Sequence, residues 1–264
     1  MPELAEVEYF RKCWDEGLGA RIAAVHLHGE KRIFRGTDAK GISEHLVRQK
    51  FLRSVARGKQ MLFLFSGDNW LGIHLGMSGH LRIEPPGFEP EKHDHLVLEQ
   101  KSRSLVFRDA RQFGRVRFHH GKNAPEWWPR RALEIDSPLY TKRVLREFVR
   151  RHGRAPIKAV LLLQSGFPGI GNWMADEILW RARIAPTRKA GELRAEKLDV
   201  LWRNVRFVSR ASLTTIGQDN SDPPKDWLLH ERWRDGGKCP RHRTKLRRAT
   251  IGGRTTAWCP RCQH

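Results

Sequence analysis

The chain of 264 residues is predicted to fold as an α+β protein, with its strands in the first half and its helices in the second. Three observations predict this. Short apolar or alternating runs broken by turn residues fill residues 21–118, longer helical periodicities occupy 142–214, and Gly252-Gly253 centres a final hairpin. The length suits one or two domains with a hydrophobic core.

The N-terminal segment, Pro2 to about Gly17, is predicted to be a helix, because it has Pro in the first turn, glutamates near the positive N-terminal end and a Gly stop. The runs that follow favour an antiparallel sandwich or barrel, with turns at 66–69 and 84–87. The predicted strands are Ile22–His28, Gln60–Phe65, Leu71–Leu75, His80–Ile83, His95–Glu99, Ser104–Phe107 and Val116–His119.

A linker at Ala124–Pro129 is predicted to precede the helical part. Helical spacing of apolar residues predicts four helices, and a polar, Pro-rich loop at Asp219–Lys225 follows them. The predicted helices are Lys142–His152, Ile157–Leu163, Asn172–Arg183 and Leu193–Thr214.

Charge indicates the partner. Lys and Arg number 50 against 29 Asp and Glu, a net charge of +21 that lies mostly in the second half, and no acid follows Cys239. Such an excess favours a nucleic acid as the binding partner over positive residues that are merely solvated. An anionic membrane surface is a weaker alternative, because the sequence shows no clear basic amphipathic helix. No run approaches the ~18 apolar residues of a membrane span, and acids stand where a secretory signal carries bases. We expect a soluble, intracellular protein.

The C-terminal segment carries two pairs of metal-ligand residues. Cys239-Pro-Arg-His242 and Cys259-Pro-Arg-Cys262 each have two intervening residues, which is the spacing of tetrahedral zinc sites. Four ligands close the coordination shell, so one structural ion is expected. The alternatives are buried or free thiols beside a surface histidine, and His264 in place of His242 as the fourth ligand.

Several motifs, taken in order, resemble the formamidopyrimidine-DNA glycosylase family along almost the whole chain. They are Pro2–Glu8, Gly58-Lys59, His74–Gly79, Lys92–His95, Arg108–Gly114, Gly169–Asn172 and Arg254–Cys259. The resemblance implies an N-terminal helix with a catalytic β-sandwich domain over 1–128. It also implies a helical DNA-binding domain with a helix–two-turns–helix element over 129–230, and a zinc-finger hairpin over 231–264.

The resemblance also implies catalytic residues. Loss of Met1 would leave Pro2 with a secondary amine, which is less basic than a lysine and can attack a sugar C1′. Glu3 would be the general acid and base, and Lys59 and Arg254 would complete the catalytic set. Without the resemblance, Pro2 would be read simply as the first residue of a helix.

Further positions would contact DNA. Met77, Arg111 and Phe113 would fill the space left by an extruded nucleotide, as apolar wedges and an arginine can do. Asn172 lies at a helix start behind two glycines, where amide groups and the helix dipole favour binding of a phosphate. The alternative is that Asn172 simply caps the helix. His74, His93 and Lys158 would be further DNA contacts.

The implied function is excision of oxidised purines (8-oxoguanine and formamidopyrimidines) in base-excision repair, with β,δ-elimination at the abasic site. The expected partner is double-stranded DNA with oxidised bases or abasic sites, bound by a monomer without a membrane, in the cytoplasm near a bacterial nucleoid. The alternatives are oxidised pyrimidines or crosslinks as substrates, or a non-catalytic zinc-hairpin nucleic-acid-binding protein. Ala5, Met174, His242 and the loop 217–225 depart from the family pattern and leave lesion choice open.

Overall fold

The computed structural model of the chain describes residues 1–128 and 132–264. The chain divides into two compact units, of which the first holds Met1–Pro2 and Glu6–Arg131 and the second Glu3–Ala5 and Ala132–His264. The end of the predicted linker, Pro129, lies outside the described residues. Within the described ranges, no helix is both long enough and apolar enough to cross a membrane.

The first unit contains two four-stranded antiparallel sheets, with strand orders β1-β6-β7-β5 and β2-β3-β4-β8. Residues from both sheets share one hydrophobic core, into which β3 points Met61, Phe63 and Phe65. The elements are α1 (Leu4–Asp15), β1 (Ile22–Leu27), α2 (Ala39–Leu46), β2 (Phe51–Arg57), β3 (Gln60–Phe65), β4 (Asn69–His74), β5 (His80–Glu84), β6 (Asp94–Gln100), β7 (Arg103–Arg108) and β8 (Arg115–His120). The predicted first helix, the seven strands and the antiparallel sandwich are confirmed.

Two elements of this unit were absent from the sequence prediction. β2 lies at the edge of its sheet, and its solvent-facing Leu52 and Arg53 break the alternation that identifies a strand. α2 has only eight residues and an internal Gly41, whose N–H donates to the side chain of the N-cap Asp38. Tertiary packing and a cap, rather than a periodic sequence, therefore define both elements.

The second unit is helical and ends in a two-stranded hairpin. Its elements are α3 (Lys142–Arg151), α4 (Ile157–Leu161), α5 (Asn172–Ala182), α6 (Ala195–Thr214), α7 (Ile216–Asp219), β9 (Arg247–Ile251) and β10 (Arg254–Trp258). The four predicted helices are confirmed. The predicted loop starts slightly later, because Asp219 is the last residue of α7.

Helix α5 is the buried centre of this unit, and nine of its residues are buried. Among them, Glu177 is 0% exposed and accepts hydrogen bonds from Nε of Arg181 (2.7 Å) and N–H of Leu229 (3.2 Å). Burial raises the pKa of Glu177 to about 7, although Arg181 favours the charged form. The guanidinium of Arg181 in turn lies over the rings of Phe207 and Trp227.

This carboxyl should make stability depend on pH. The folded chain holds a proton that the unfolded chain releases between pH 4.5 and about 7, so the group's contribution to the free energy of unfolding falls across that window and is constant above it. We expect the free energy of unfolding of the parent minus that of Glu177→Gln to fall by about 3 kcal/mol between pH 4.5 and 7.5 in urea titrations.

Glu147→Gln is the matched control. Glu147 is an exposed residue of α3, and the guanidinium of Arg143 lowers its pKa, so any effect of that substitution has the opposite sign. A Glu177→Gln difference that did not change with pH would contradict the buried, protonated carboxyl.

Candidate active site

The carboxylate of Glu3 is held at the N-terminal end of α5. Its Oε2 accepts hydrogen bonds from the N–H groups of Gly171 (2.9 Å) and Met174 (3.1 Å), and its Oε1 accepts one from Trp173 (2.9 Å). Glu3 is only 2% exposed. Three backbone donors and the positive end of a helix dipole stabilise a negative group at this position. Half-buried Pro2 is joined to this residue by a peptide bond, so the clamp on Glu3 also restrains the start of the chain.

The two glycines before α5 make this clamp possible. A Cβ on Gly171 would lie 2.3 Å from Cδ of Glu3, so any side chain there would occupy the space of the carboxylate. Gly169 has a φ of +88°, in the region that favours glycine, and its carbonyl accepts a hydrogen bond from N–H of Leu4 (3.0 Å). The two glycines of this Gly-x-Gly sequence therefore let residues 3 and 4 pack directly against the backbone that precedes α5.

Asn172 connects α5 to the C-terminal hairpin. Its Nδ2 donates to the carbonyl of Thr255 (2.9 Å), while its Oδ1 is buried and makes no hydrogen bond to a described residue. Gly252 and Gly253 turn the hairpin with φ of +59° and +71°, and a Cβ on Gly252 would meet Ala159 of α4 at 2.9 Å. Arg254, the first residue of β10, is exposed.

Lys158 lies in a buried ionic cluster, which corrects the expectation that it contacts DNA directly. It is 0% exposed, and its ammonium donates to the carboxylate of Asp176 and to the carbonyl of Asn172 (2.6 Å). Asp176 also accepts hydrogen bonds from Nε of Arg232 (3.0 Å) and N–H of Ala257 (3.1 Å). An ammonium that is buried and paired in this way positions α4, α5 and β10 and is not available to a phosphate.

Two loops of the first unit pack against each other at the ends of β4 and β7. A Cβ on Gly76 would lie 2.4 Å from the backbone of Phe113 and Gly114, so the loops touch through their main chains. The buried carboxylate of Asp109 accepts hydrogen bonds from N–H of Gly114 (2.7 Å) and from the hydroxyl of Ser78 (2.6 Å). Asp109 thus sets the shape of both loops.

These loops present the predicted wedge residues together. The side chain of Phe113 is 42% exposed, and the guanidinium of exposed Arg111 lies 5.0 Å from its ring centre. Met77 is half-buried on the neighbouring loop. An exposed apolar ring beside an arginine and a methionine is able to stack on bases and donate hydrogen bonds to them.

The remaining predicted DNA contacts of this unit have different surroundings. Nδ1 of His74 accepts a hydrogen bond from N–H of Gly76 (3.0 Å), so the proton of the neutral ring is on Nε2, a donor suited to phosphate. Lys59 lies in the two-residue turn between β2 and β3, where Gly58 has a φ of +57°, and is 9% exposed. His93 is half-buried, and its carbonyl accepts a hydrogen bond from N–H of Asp109.

Three of the four predicted metal ligands come together in the second unit. The sulfur atoms of Cys239, Cys259 and Cys262 all lie within 4.8 Å of one another and are buried, which fits a thiolate zinc site. Nε1 of Trp180 donates to the sulfur of Cys239 (3.3 Å). His242 is half-buried outside this cluster and His264 is exposed, so the identity of the fourth ligand stays a prediction.

Comparison with known proteins decides the family. A model of the formamidopyrimidine-DNA glycosylase N-terminal domain matches residues 1–116, and one of the H2TH domain of the same enzymes matches residues 134–221. The formamidopyrimidine-DNA glycosylases of Roseiflexus sp. (strain RS-1) and Nocardioides sp. (strain ATCC BAA-499 / JS614) are 33% and 35% identical to this chain. The first alignment covers 100% of both chains, and the second covers 100% of this chain and 94% of its relative.

This chain belongs to the formamidopyrimidine-DNA glycosylase family. Two solved structures that cover 100% of both chains agree with this assignment. One is MutM in complex with carbocyclic 8-oxo-G containing DNA (26% identity, TM-score 0.88). The other is wild-type Lactococcus lactis Fpg in complex with an oxidised pyrimidine containing DNA (25% identity, TM-score 0.88).

The sequence of this formamidopyrimidine-DNA glycosylase family member did not reveal the roles of several residues. Asp109 lies within a motif that was recognised, but only the fold shows that its carboxylate bonds both wedge loops. Asp176 and Arg232 are far apart in sequence, and nothing local indicates that they pair in the interior. Gly171 was noted in its motif, where a flanking glycine suggested a helix start but not a close approach to Glu3.

Replacing Gly171 tests the clamp on Glu3. We expect Gly171→Ala to lower the free energy of unfolding by about 1–3 kcal/mol, because the added methyl group overlaps the Glu3 carboxylate and one of them must move. Chemical denaturation measures the loss.

Gly217→Ala provides the control. The nearest atoms to a Cβ on Gly217 in α7 would be a methyl of Leu213 at 3.3 Å and the carbonyl oxygen of Ala5 at 3.5 Å, so this substitution should cost much less than Gly171→Ala. Equal effects of the two substitutions would mean that the close approach to Glu3 has no energetic consequence.

Proposed function

We propose that this chain is a base-excision repair glycosylase that removes oxidised purines, 8-oxoguanine and formamidopyrimidines, from double-stranded DNA and then cleaves the abasic site by β,δ-elimination. The observation that carries the proposal is the carboxylate of Glu3, next to Pro2 and locked by three N–H donors. Membership of the family and the names of the relatives support the same activity.

The chemistry begins at the amine of Pro2 after Met1 is removed. The nitrogen lone pair attacks C1′ of the damaged nucleotide, the bond from C1′ to the base breaks, and the base leaves with a proton. Loss of the sugar ring bond gives an iminium between Pro2 and deoxyribose. Glu3 moves protons for these steps, since it is the carboxylate nearest in sequence and is held in one orientation.

The iminium explains the lyase activity that we propose. It acidifies the C2′ protons, so loss of one of them expels the 3′ phosphate and leaves a C2′=C3′ double bond conjugated to the iminium. Conjugation then acidifies the C4′ proton, and its loss expels the 5′ phosphate. The sugar fragment, now separated from both DNA ends, remains bound to Pro2 until water hydrolyses the iminium. Both eliminations need only a base that takes protons, and Glu3 would be that base.

Met77, Arg111 and Phe113 would fill the space left by the extruded nucleotide. Arg111 and Phe113 are exposed and Met77 is half-buried, and all three lie on two loops braced by Asp109. This supports the assignment, because a wedge has to be rigid to keep bases unstacked. Specificity for the base opposite the lesion would come from the guanidinium of Arg111.

Phosphate contacts would come from five side chains of the two units, taken with the correction for Lys158. They are Lys59, His74, His93, Asn172 and Arg254. Lys158 would act indirectly by holding the backbone of Asn172 in place. Most of the affinity for undamaged DNA would come from such charge and backbone contacts, as in other DNA-binding proteins.

One zinc ion would be held by Cys239, Cys259, Cys262 and His242. Bound there, it would supply no reaction chemistry and would cross-link the ends of the hairpin that carries Arg254. We further infer that the domains run over 1–128, 129–230 and 231–264, and that the enzyme acts as a monomer on chromosomal DNA in the cytoplasm.

A second candidate substrate class is oxidised pyrimidines. The Lactococcus lactis relative was solved with oxidised pyrimidine DNA. The loop from Gly217 to Lys225 differs from the family pattern, and its first three residues lie in the short helix α7. Excision rates on duplexes that each carry one lesion, either 8-oxoguanine, a formamidopyrimidine or an oxidised pyrimidine, decide between the two classes.

The nucleophile can be tested by trapping. Borohydride reduces an iminium to a stable amine, so protein, 8-oxoguanine duplex and borohydride should give a covalent adduct on Pro2 of the mature chain. Denaturing electrophoresis and peptide mass spectrometry detect it. A tag fused directly to the N-terminus converts the amine to an amide without a basic lone pair and should abolish trapping.

Controls separate the roles of the two residues. Glu3→Gln should mainly slow base release while still allowing an adduct with DNA that already holds an abasic site. An adduct on Lys59 in the unmodified protein, or full excision with a blocked N-terminus, would overturn the assignment of Pro2. A non-catalytic binding protein would bind the duplex and give no adduct at all.

Metal content gives an independent test. Native mass spectrometry should find one zinc per chain, and His242→Ala should weaken its retention against a chelator because one of four ligands is lost. Loss of zinc should reduce DNA affinity before it unfolds the helical core. Protein prepared without chelator that contained no metal would contradict the site.

A further inference from the structure

Three arginines converge on the outer face of the sheet β2-β3-β4-β8. In the antiparallel pair β4 and β8, Gly72 is opposite Arg117 and His74 is opposite Arg115, while Ile73 and Val116 between them face the core. Arg115 and Arg117 therefore extend from the same, outward face. Arg35, in the turn after β1, completes the group and donates to the carbonyl of Gly114 (2.8 Å).

The arginines line a pocket of about 190 Å³. Its other lining residues are Gln60, Gly72, His74 and Trp127. A Cβ on Gly72 would lie 2.4 Å from the Trp127 ring, so the missing side chain lets the indole lie on the sheet. The guanidinium of Arg117 is 5.2 Å from the centre of that ring, which holds it in place.

No described carboxylate neutralises these charges. Elsewhere in the first unit, Arg82, Arg103 and Arg108 each form an ion pair with an acidic side chain. By contrast, the pocket has no acidic residue among its lining, and Nε of Arg115 is buried without a hydrogen-bond partner in the described chain. Burial lowers the pKa of Arg117, and the positive charges of Arg115 and Arg35 lower it further.

Such a cluster costs free energy unless an anion occupies it. Neighbouring like charges on a sheet repel, and a buried donor without an acceptor is unfavourable. Three planar guanidinium groups offer many fixed N–H donors, which match the oxygens of a phosphate group. His74 lines the same pocket with its Nε2 proton, so one phosphate could accept hydrogen bonds from both sides.

We propose that Arg35, Arg115 and Arg117 form a binding site for one phosphate of the DNA backbone. The site shares His74 with the DNA-binding set, which favours a strand phosphate over a small phosphate ligand. This choice of source rests on the proposed function, whereas the affinity for phosphate rests on the pocket alone.

The salt dependence of binding to undamaged duplex tests the site. With anisotropy measured between about 50 and 200 mM salt, Arg117→Gln should lower the slope of log K against log salt by about 0.9, the value for one phosphate contact. Arg117→Lys keeps a positive charge and should keep most of the slope. Arg35→Gln, in a turn outside the sheet, should match Arg117→Gln, so a local defect in β8 would not explain the loss.

Arg21→Gln is the matched control, because Arg21 is exposed and its guanidinium donates to the carbonyl of Arg48, away from the residues that line the pocket. An Arg117→Gln slope equal to that of the parent, or an equal loss in Arg21→Gln, would overturn the proposal. Inorganic phosphate followed by ³¹P NMR separates the sources. Binding of that ion to the parent and not to Arg117→Gln, with the DNA slope unchanged, would assign the pocket to free phosphate and reject DNA.

The outcome is independent of the repair activity. If the parent failed to excise any lesion while Arg117→Gln still reduced the slope, the proposed function would fall and the phosphate site would stand. Excision of 8-oxoguanine by the parent with no change of slope would give the opposite result.

Discussion

The arrangement of the candidate site depends on one carboxylate, that of Glu3, at the N-terminal end of α5. Its two oxygens accept hydrogen bonds from three N–H groups at the start of the helix, which have no acceptor within the helix. The same bonds hold the residue that follows Pro2. Because the hydrogen-bond donors are main-chain groups of a buried helix, the clamp is as rigid as the helical core itself, and Gly171 provides the space it needs.

Buried charge organises the rest of the second unit. Asp176 joins Lys158, Arg232 and the backbone of β10, so the hairpin with Arg254 is attached to α4 and α5 through one ionic cluster. Removing one member of such a cluster typically costs about 3–5 kcal/mol, because its partner is left buried and uncompensated. The cysteine cluster and this ionic cluster thus restrain the same hairpin in two different ways.

The first unit uses its arginines in two ways. Those of the sheet β1-β6-β7-β5 are paired with carboxylates and so contribute little charge toward a partner. Those of the outer face of β4 and β8 have no such partners in the described chain, which leaves positive charge on one part of the sheet. The net charge of +21 is therefore unevenly distributed, and the outer face of β8 offers more of it to a polyanion than the sheet β1-β6-β7-β5 does.

The sequence by itself determined the strand and helix order, the metal-ligand spacing and the family, because apolar periodicity and short motifs are local properties. It did not predict β2 or α2. β2 is an edge strand without a regular alternation, and α2 is a short helix that begins at the N-cap Asp38, so neither has a clear periodic pattern. Only the tertiary structure decided that Lys158 is buried against Asp176, that three cysteines meet, and that three arginines share a pocket. These outcomes depend on contacts between residues distant in the chain, where burial and charge pairing are set by neighbours that no local pattern specifies.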